Sequence, residues 1–214
     1  MKKIKNLLFL LSVIVIVFYI GHDTIITNAA TTVTTIKQTY QQNSSTSKQM
    51  STLKGYSKSK KLIWTYKTEW VIQTELENIS PYFKNGNFVY IVADGKVIAL
   101  DLNTGKVKWK TKNIAGASIH YAFDKKGTLY IGGFYGPDIV AINKKGKVLW
   151  TVKDASKGKS YWPIEINLLT DKIEIIYDTN TRYNEKTETQ EDYYGSSYID
   201  YSGNILNYTE TVLQ

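Results

Sequence analysis

The chain has 214 residues, with 27 Lys and Arg against 19 Asp and Glu, and a formal net charge of +8. It contains no cysteine, which excludes disulfides, thiolate metal sites and a cysteine nucleophile. Residues 1–61 hold nine lysines and one aspartate, so residues 62–214 have no net charge. Because nucleic-acid binding needs a basic cluster on the folded surface, this distribution argues against a nucleic-acid partner.

The N-terminus has the pattern of a secretory signal. Residues 1–6 are basic, and residues 7–20 are apolar apart from Ser12. This run is shorter than the roughly 20 residues that a membrane-spanning helix needs. Residues 1–30 are therefore predicted to be a signal peptide, and the protein to be secreted or to lie on the extracellular face of the cell envelope. The alternative is an uncleaved signal anchor that tethers the chain to a membrane through residues 1–20.

The next segment, residues 31–60, is rich in Thr, Ser, Gln and Lys and poor in large apolar residues. Such a composition buries too little apolar surface to offset the entropy lost on ordering. It predicts a disordered stalk, whose lysines either lie near an anionic envelope surface or are simply solvated.

A hairpin pattern then recurs along the chain. Val97–Trp109 reads as two short strands around a turn that ends in Gly105. Asp138–Trp150 repeats it 41 residues later, with Gly146 at the corresponding turn position. Both turns are predicted to need the positive φ that glycine adopts easily.

Weaker copies flank these two hairpins. Upstream, residues 61–68 match only the final strand and place Trp64 45 residues before Trp109. Downstream, Tyr198–Tyr208 is a copy with one extra residue after its glycine and Tyr208 in place of tryptophan.

A second pair of strands completes each unit. Residues 79–91 and 118–131 align as strand, glycine-bearing turn and a strand ending in Tyr-Ile, and residues 162–177 supply a third pair. Four short strands in a period of about 40 residues are typical of β-propeller blades. Residues 61–214 are predicted to be all-β, a partial propeller of about three four-stranded antiparallel blades. The predicted blades cover about residues 76–112, 116–153 and 162–210.

The segment Phe88–Trp109 resembles the PQQ-like (quinoprotein alcohol dehydrogenase-like) β-propeller repeat, and the resemblance extends over residues 61–210. It implies that the recurring aromatic residue packs between neighbouring blades. This role would fall to Trp64, Trp109, Trp150 and Tyr208.

The number of blades departs from that family. Three blades and the single strand 62–68 cannot close a ring, since closed propellers have about 4–8 blades. An open fan would expose apolar blade faces, so either a second copy or another partner completes the propeller, or the chain is a fragment of a longer protein.

The connections on one face of the blades are the candidate ligand-binding surface. The third blade carries a long excursion, residues 178–197, and loops of this length are usually functional or disordered. Exposed aromatic residues amid hydrogen-bonding groups suit a protein, peptide or glycan partner. The alternative is that these aromatic residues pack between blades. The candidate binding residues are Phe134, Tyr135, Tyr161, Trp162, Tyr183, Tyr193 and Tyr194.

No catalytic site, metal site or cofactor is predicted. The segment Asp101–Gly105 resembles the start of a calcium loop, but the repeat places it in a hairpin turn. His120 falls inside a predicted strand and is expected to be a packed residue. A quinoprotein dehydrogenase would have a complete ring, and many have an adjacent cysteine pair. A non-catalytic binding scaffold is therefore the first hypothesis, with a truncated propeller and part of a quinoprotein dehydrogenase as the alternatives.

Overall fold

The computed structural model describes residues 32–42, 49–69, 82–93, 95–114, 117–133, 138–159, 162–178 and 180–212. The chain divides into two compact units, and all of these residues belong to the second, Thr32–Gln214. The predicted signal, residues 1–30, lies outside the described residues. Within the described part of the chain, no helix is long and apolar enough to cross a membrane.

The described residues form antiparallel sheets, which confirms the predicted all-β class. Sheet 1 contains β1 (Val33–Gln42), β2 (Gln49–Ser57) and β3 (Leu62–Glu69). Sheet 2 contains β4 (Phe83–Asn85), β5 (Phe88–Ala93), β6 (Lys96–Asp101) and β7 (Val107–Lys110). Sheet 3 contains β8 (Ala117–Phe123), β9 (Leu129–Gly133), β10 (Ile139–Ile142) and β11 (Val148–Val152). Sheet 4 contains β12 (Pro163–Leu168), β13 (Lys172–Tyr177), β14 (Asn180–Asn184), β15 (Thr189–Asp200) and β16 (Ile205–Val212).

Sheet 1 corrects the prediction of a disordered stalk. β1 and β2 lie inside residues 31–60, pair with each other, and give the supposedly single strand β3 its partners. Val33, Ile36 and Leu53 are buried, while the residues on the other face are mostly exposed in β1 and half-buried in β2. A sheet that buries one face needs few large apolar residues, and threonine suits strands. The prediction of disorder is therefore wrong for these two strands.

Each sheet is a meander, so its connections lie at two ends. One end, here called the turn end, carries the tight turns β2–β3, β4–β5, β6–β7, β8–β9, β10–β11, β12–β13 and β15–β16. The strand ends opposite these turns form the loop end, where β7, β11 and β13 end and β8 and β12 begin. Many of the turns at the turn end contain a glycine with positive φ.

The same tryptophan–glycine contact joins each sheet to the next. The ring of Trp109 lies against Gly146 of sheet 3, and its Nε1 donates to the Lys144 carbonyl at 2.9 Å. A Cβ at Gly146 would stand 2.6 Å from the indole, so only glycine leaves room for the ring. Trp64 and Gly105 join sheets 1 and 2 in this way.

Trp150 and Gly203 join sheets 3 and 4 by the same contact. The Trp150 Nε1 donates to the Tyr201 carbonyl at 3.1 Å. Behind the three contacts lie three apolar clusters, each filled by facing side chains of two consecutive sheets. The sheets therefore stack face to face as blades.

The outer face of sheet 4 is polar, contrary to the expected apolar face of an open fan. The equivalent cross-strand pairs that point toward the next sheet are Tyr90 and Ala99 in sheet 2, Tyr130 and Ala141 in sheet 3, and Glu174 and Tyr198 in sheet 4. Glu174 accepts hydrogen bonds from Asn167 at 3.2 Å and from the Tyr198 hydroxyl at 2.9 Å. A hydrogen-bonded polar face can end the stack in water, as terminal repeats of solenoids do.

Tyr208 does not occupy the position of the three tryptophans. Trp109 and Trp150 stand opposite Ala99 and Ala141, and Asn207 holds the equivalent place opposite Tyr198. The extra residue after Gly203 shifts Tyr208 onto the other face, where it packs against the cluster between sheets 3 and 4. Tyr208 therefore packs between two blades from a different strand position than the tryptophans.

Replacing Gly146 by alanine should weaken the stack. We expect Gly146→Ala to lower the free energy of unfolding by about 2–4 kcal/mol, because the new Cβ adds overpacking against Trp109 to the cost of positive φ. Urea unfolding followed by tryptophan fluorescence measures this change. Gly127→Ala is the matched control, since its φ is +80° against +83° and its Cβ would meet its nearest neighbour at 3.6 Å. It should cost only about 1–2 kcal/mol. Equal losses in the two variants would contradict the role of the contact.

Candidate functional site

Four of the seven predicted binding residues belong to the described part of the chain. Phe134, Tyr135 and Tyr161 lie outside the described residues. Trp162 precedes β12, and Tyr183, Tyr193 and Tyr194 lie in β14 and β15.

The predicted long excursion, residues 178–197, is built as a β-hairpin. β14 pairs with the first half of β15, and β13 pairs with the second half, so β14 continues the line of β13 along the same strand. β16 pairs along the other side of β15. The expectation of a structureless loop is therefore wrong here, and the hairpin extends sheet 4 at the loop end.

Strand alternation separates the aromatic residues of this hairpin. Tyr183 and Tyr194 share the outer face with Tyr198, while Tyr193 lies on the opposite face, which carries Ser197 and Tyr208. The four described candidates thus do not form one cluster.

Two of these side chains are strongly exposed. Tyr183 is 61% exposed and Trp162 is 47% exposed. The Trp162 carbonyl accepts the backbone N–H of Asp178 at 2.8 Å, which fixes its backbone beside the end of β13, near the start of β14. Both aromatic residues therefore lie at the loop end of sheet 4.

A polar network on the inner face holds the hairpin to the sheet. Arg182 forms an ion pair with Glu210 of β16, and its guanidinium lies 4.2 Å from the ring centroid of Tyr193. The Tyr193 hydroxyl donates to Glu191 at 2.8 Å. Lys159, from the connection between sheets 3 and 4, approaches Glu210 at 3.9 Å. The network ties three strands and a loop together.

The charges of this network shift the pKa of Glu210. Partial burial opposes its ionisation, but the hydrogen bonds from Arg182 and Tyr208 and the nearby cations outweigh burial. They hold the pKa of Glu210 below its ordinary value. The hairpin is thus fastened by an ionised carboxylate at neutral pH.

Sequence reasoning missed this network, although a signal was present. Thr181 to Asn184 and Thr189 to Tyr193 are short runs with β-forming residues separated by a polar turn, which is a hairpin pattern. Neither Arg182 nor Glu210 belongs to the repeat, so nothing in the repeat pointed to their pairing.

Other candidate chemical groups have structural roles. The Asp101 carboxylate accepts the backbone N–H groups of Asn103 and Thr104 and lies 3.5 Å from Lys108, which fits the predicted turn and not a calcium loop. Burial lowers the pKa of His120, which lies on β8 and interacts with the Ile164 backbone. Among the described residues, no group of three or more His, Cys, Asp or Glu could hold a metal ion.

A comparison with family models supports the repeat assignment. Residues 93–172 match the PQQ-like repeat model described as outer membrane protein assembly factor BamB. The resemblance predicted from the sequence is confirmed over this segment. No curated protein gives a significant match.

Solved structures with similar arrangements have low identity to this chain. A protein of unknown function from Bacteroides caccae has a TM-score of 0.42 and 14% identity, over 82% of this chain and 68% of that one. Virginiamycin B lyase from Staphylococcus aureus has a TM-score of 0.41 and 13% identity, over 83% of this chain and 73% of that one. A duf4221 family member from Bacteroides vulgatus has a TM-score of 0.40 and 12% identity, over 77% and 64% of the two chains. Such values say nothing about activity.

Removing the charge of Glu210 should loosen the hairpin. Because its folded pKa is depressed, its ion pair stabilises the hairpin above the unfolded pKa of about 4.3, and this contribution is lost as pH falls through the folded pKa. We expect Glu210→Gln to speed amide exchange in residues 180–193 at neutral pH, and wild type to lose the same protection only in acid. Hydrogen exchange with mass spectrometry, corrected for intrinsic rates, measures both. Glu185→Gln, at the exposed turn of the same hairpin, is the control. Equal protection in wild type and Glu210→Gln at neutral pH would exclude the proposed fastening.

Proposed function

We propose that this chain is an exported, non-catalytic binding scaffold of PQQ-like repeats that takes a protein or glycan ligand at the loop end of sheet 4. The observation that carries the proposal is the exposure of Trp162 and Tyr183 on a fastened part of the sheet. Large aromatic side chains with polar neighbours are common anchors of binding surfaces.

The rigidity of this region supports a binding role. The Arg182–Glu210 ion pair holds the strand that carries Tyr183, and the Asp178 N–H bond holds the backbone of Trp162. Side chains held in place before binding lose little entropy when a ligand arrives, which favours affinity. The exposed Thr181 and Asp192 of the same hairpin add hydrogen-bonding groups.

The proposal of a non-catalytic role rests on the chemistry of the available groups. Three titratable groups of the hairpin, Arg182, Glu191 and Tyr193, are engaged in its own network, where Glu191 accepts bonds from Asn184 and Tyr193. A quinoprotein dehydrogenase with the adjacent cysteine pair is not an option for a chain without cysteine. We therefore propose binding, and not catalysis, as the role of the described hairpin.

The polar ends of the stack favour a chain that works alone. Glu174 on the outer face of sheet 4 is hydrogen-bonded within that sheet, and the exposed residues of β1 with the half-buried ones of β2 give sheet 1 an outer face rich in Thr and Lys. Stacking another blade on either face would bury polar groups without partners, which costs free energy. We therefore favour a monomer over self-association that completes the propeller.

Removing the exposed aromatic pair should abolish ligand binding. Ligands are first selected with the full chain on glycan and peptide arrays, and affinities are then measured by biolayer interferometry. We expect the double variant Trp162→Ala/Tyr183→Ala to bind at least about tenfold more weakly, since an aromatic anchor contributes about 1–2 kcal/mol. Leu149→Ala, a 49% exposed apolar residue on sheet 3, should leave affinity unchanged. Array ligands that bind the double variant as tightly as wild type would refute this site.

Protein recovered from the culture medium tests export and assembly together. We expect light scattering coupled to size exclusion to give the mass of one chain, and mass spectrometry to place the N-terminus at Ala30, after the small residues that precede it. A discrete dimer or larger closed species would instead favour ring completion by a second copy. Retention of the full chain in the cell membrane would favour the signal anchor.

A further inference from the structure

The folded unit is basic, because it begins at Thr32 and not near residue 61. Residues 1–31 hold three lysines and one aspartate, which accounts for +2 of the total charge of +8. The unit Thr32–Gln214 therefore has a net charge of +6. The expectation of a folded domain without net charge is thus corrected. The question is then where on the folded unit its positive charge lies.

The lysines concentrate at the turn end. Lys58, Lys60 and Lys61 are exposed in the β2–β3 turn, and Lys106 and Lys108 are exposed at the β6–β7 turn. Sheet 3 adds two more turns.

In sheet 3, Lys125 and Lys126 are exposed in the β8–β9 turn, and Lys144, Lys145 and Lys147 are exposed in the β10–β11 turn. Against these ten lysines, the turn end of the described sheets carries four aspartates, Asp101, Asp124, Asp171 and Asp200. Lysines therefore outnumber carboxylates at this end of the sheets.

Most of these aspartates are occupied by their own turns. Asp124 accepts the N–H groups of Lys126 and Thr128 at 2.8 Å, and Asp200 accepts those of Ser202 and Asn204 at the same distance. Asp101 is paired with its turn and with Lys108. Their carboxylates therefore satisfy backbone donors, and they leave most of the lysines without an acidic partner.

A cleft of about 450 Å³ shows that lysines of different turns lie together. It is lined by Lys108 of sheet 2 and by Lys125, Lys126 and Lys144 of sheet 3, together with the turn-bound carboxylates Asp101 and Asp124. Within the described residues, no carboxylate lies in ion-pair distance of Lys125, Lys126 or Lys144. The cleft is large enough for a phosphate-bearing headgroup.

Exposed aliphatic side chains stand next to the lysines. Leu62, Val107 and Ile205 begin the strands that follow three of the turns, and Leu149 is the second residue after a fourth. Leu62 is 47% exposed, Val107 46%, Ile205 37% and Leu149 49%. Each sheet thus places an apolar side chain beside its tight turn.

We propose that the turn end docks on an anionic lipid bilayer. Lysines near an anionic membrane gain attraction from its negative surface potential, and adjacent aliphatic side chains can enter the headgroup region. Nucleic-acid surfaces rely on arginine and on stacking aromatic residues. The single arginine of this chain, Arg182, is at the loop end. The exposed Tyr201 of the turn end already packs on Tyr130.

Vesicle binding by charge variants of the full chain tests the proposal. Sucrose-loaded phosphatidylcholine vesicles with about one-third phosphatidylglycerol are compared with pure phosphatidylcholine in a sedimentation assay. The triple variant Lys125→Glu/Lys126→Glu/Lys144→Glu should bind the anionic vesicles at least about tenfold more weakly, since each lysine is worth about fivefold. The N-terminal lysines are present in every sample and contribute equally.

A matched variant separates location from net charge. The matched variant replaces three exposed lysines of the loop end, Lys110→Glu/Lys112→Glu/Lys153→Glu. Its net charge changes by the same amount, and it should bind the anionic vesicles like wild type. Val107→Ser/Leu149→Ser should weaken binding to vesicles but not to inorganic polyphosphate, because only a bilayer takes up apolar side chains. Matching urea midpoints show that the variants are folded. If the triple Glu variant is unfolded, Lys125→Gln/Lys126→Gln/Lys144→Gln is used in its place.

Three results would overturn the proposal. Equal losses in the two triple variants would mean that only net charge matters. Unchanged vesicle binding by the turn-end variant would mean that another part of the chain binds the bilayer. Loss of binding to single-stranded DNA or polyphosphate, with vesicle binding intact, would assign the surface to a different polyanion.

Discussion

The contact between a tryptophan ring and a glycine of the next sheet fixes the rest of this structure. Trp64, Trp109 and Trp150 each cover a glycine with positive φ and donate to a carbonyl of the same turn. The ring buries apolar surface while its N–H remains satisfied, so the contact costs no unpaired polar group. Because it uses a turn of the following sheet, it sets both the spacing of the blades and the alignment of their turn ends.

Sheet 4 lacks the tryptophan of this contact. Asn207 takes the place of the tryptophan in sheet 4, and the pair Glu174 and Tyr198 replaces the aromatic and small residues of the earlier sheets. Sheet 4 therefore presents a hydrogen-bonded polar face where sheets 2 and 3 present an apolar one.

The repeat made much of the fold predictable, and the exceptions have physical causes. Turn glycines and recurring tryptophans mark three sheets, because each contact needs those residue types. Sheet 1 was missed because β1 and β2 bury only one face, so their composition is close to that of a disordered segment. The hairpin of β14 and β15 depends on Arg182 and Glu210, which are distant in sequence and occur once. Among the candidate binding residues, the sequence identified the exposed Trp162 and Tyr183 but not their separation from Tyr193.

The same turn geometry also explains why the turn end is basic although the residues of sheets 2 to 4 have almost no net charge. A turn with a positive-φ glycine has backbone N–H groups that need an acceptor, and aspartate or asparagine at its first position provides one. Those aspartates are held inward by their hydrogen bonds, as Asp124 is, whereas the intervening lysines have no such partner and point to solvent. Net charge along the sequence therefore does not measure the charge that a partner meets. The alignment imposed by the tryptophans gathers the lysines of separate turns at one end, which gives the stack a chemically distinct side opposite its aromatic loop end.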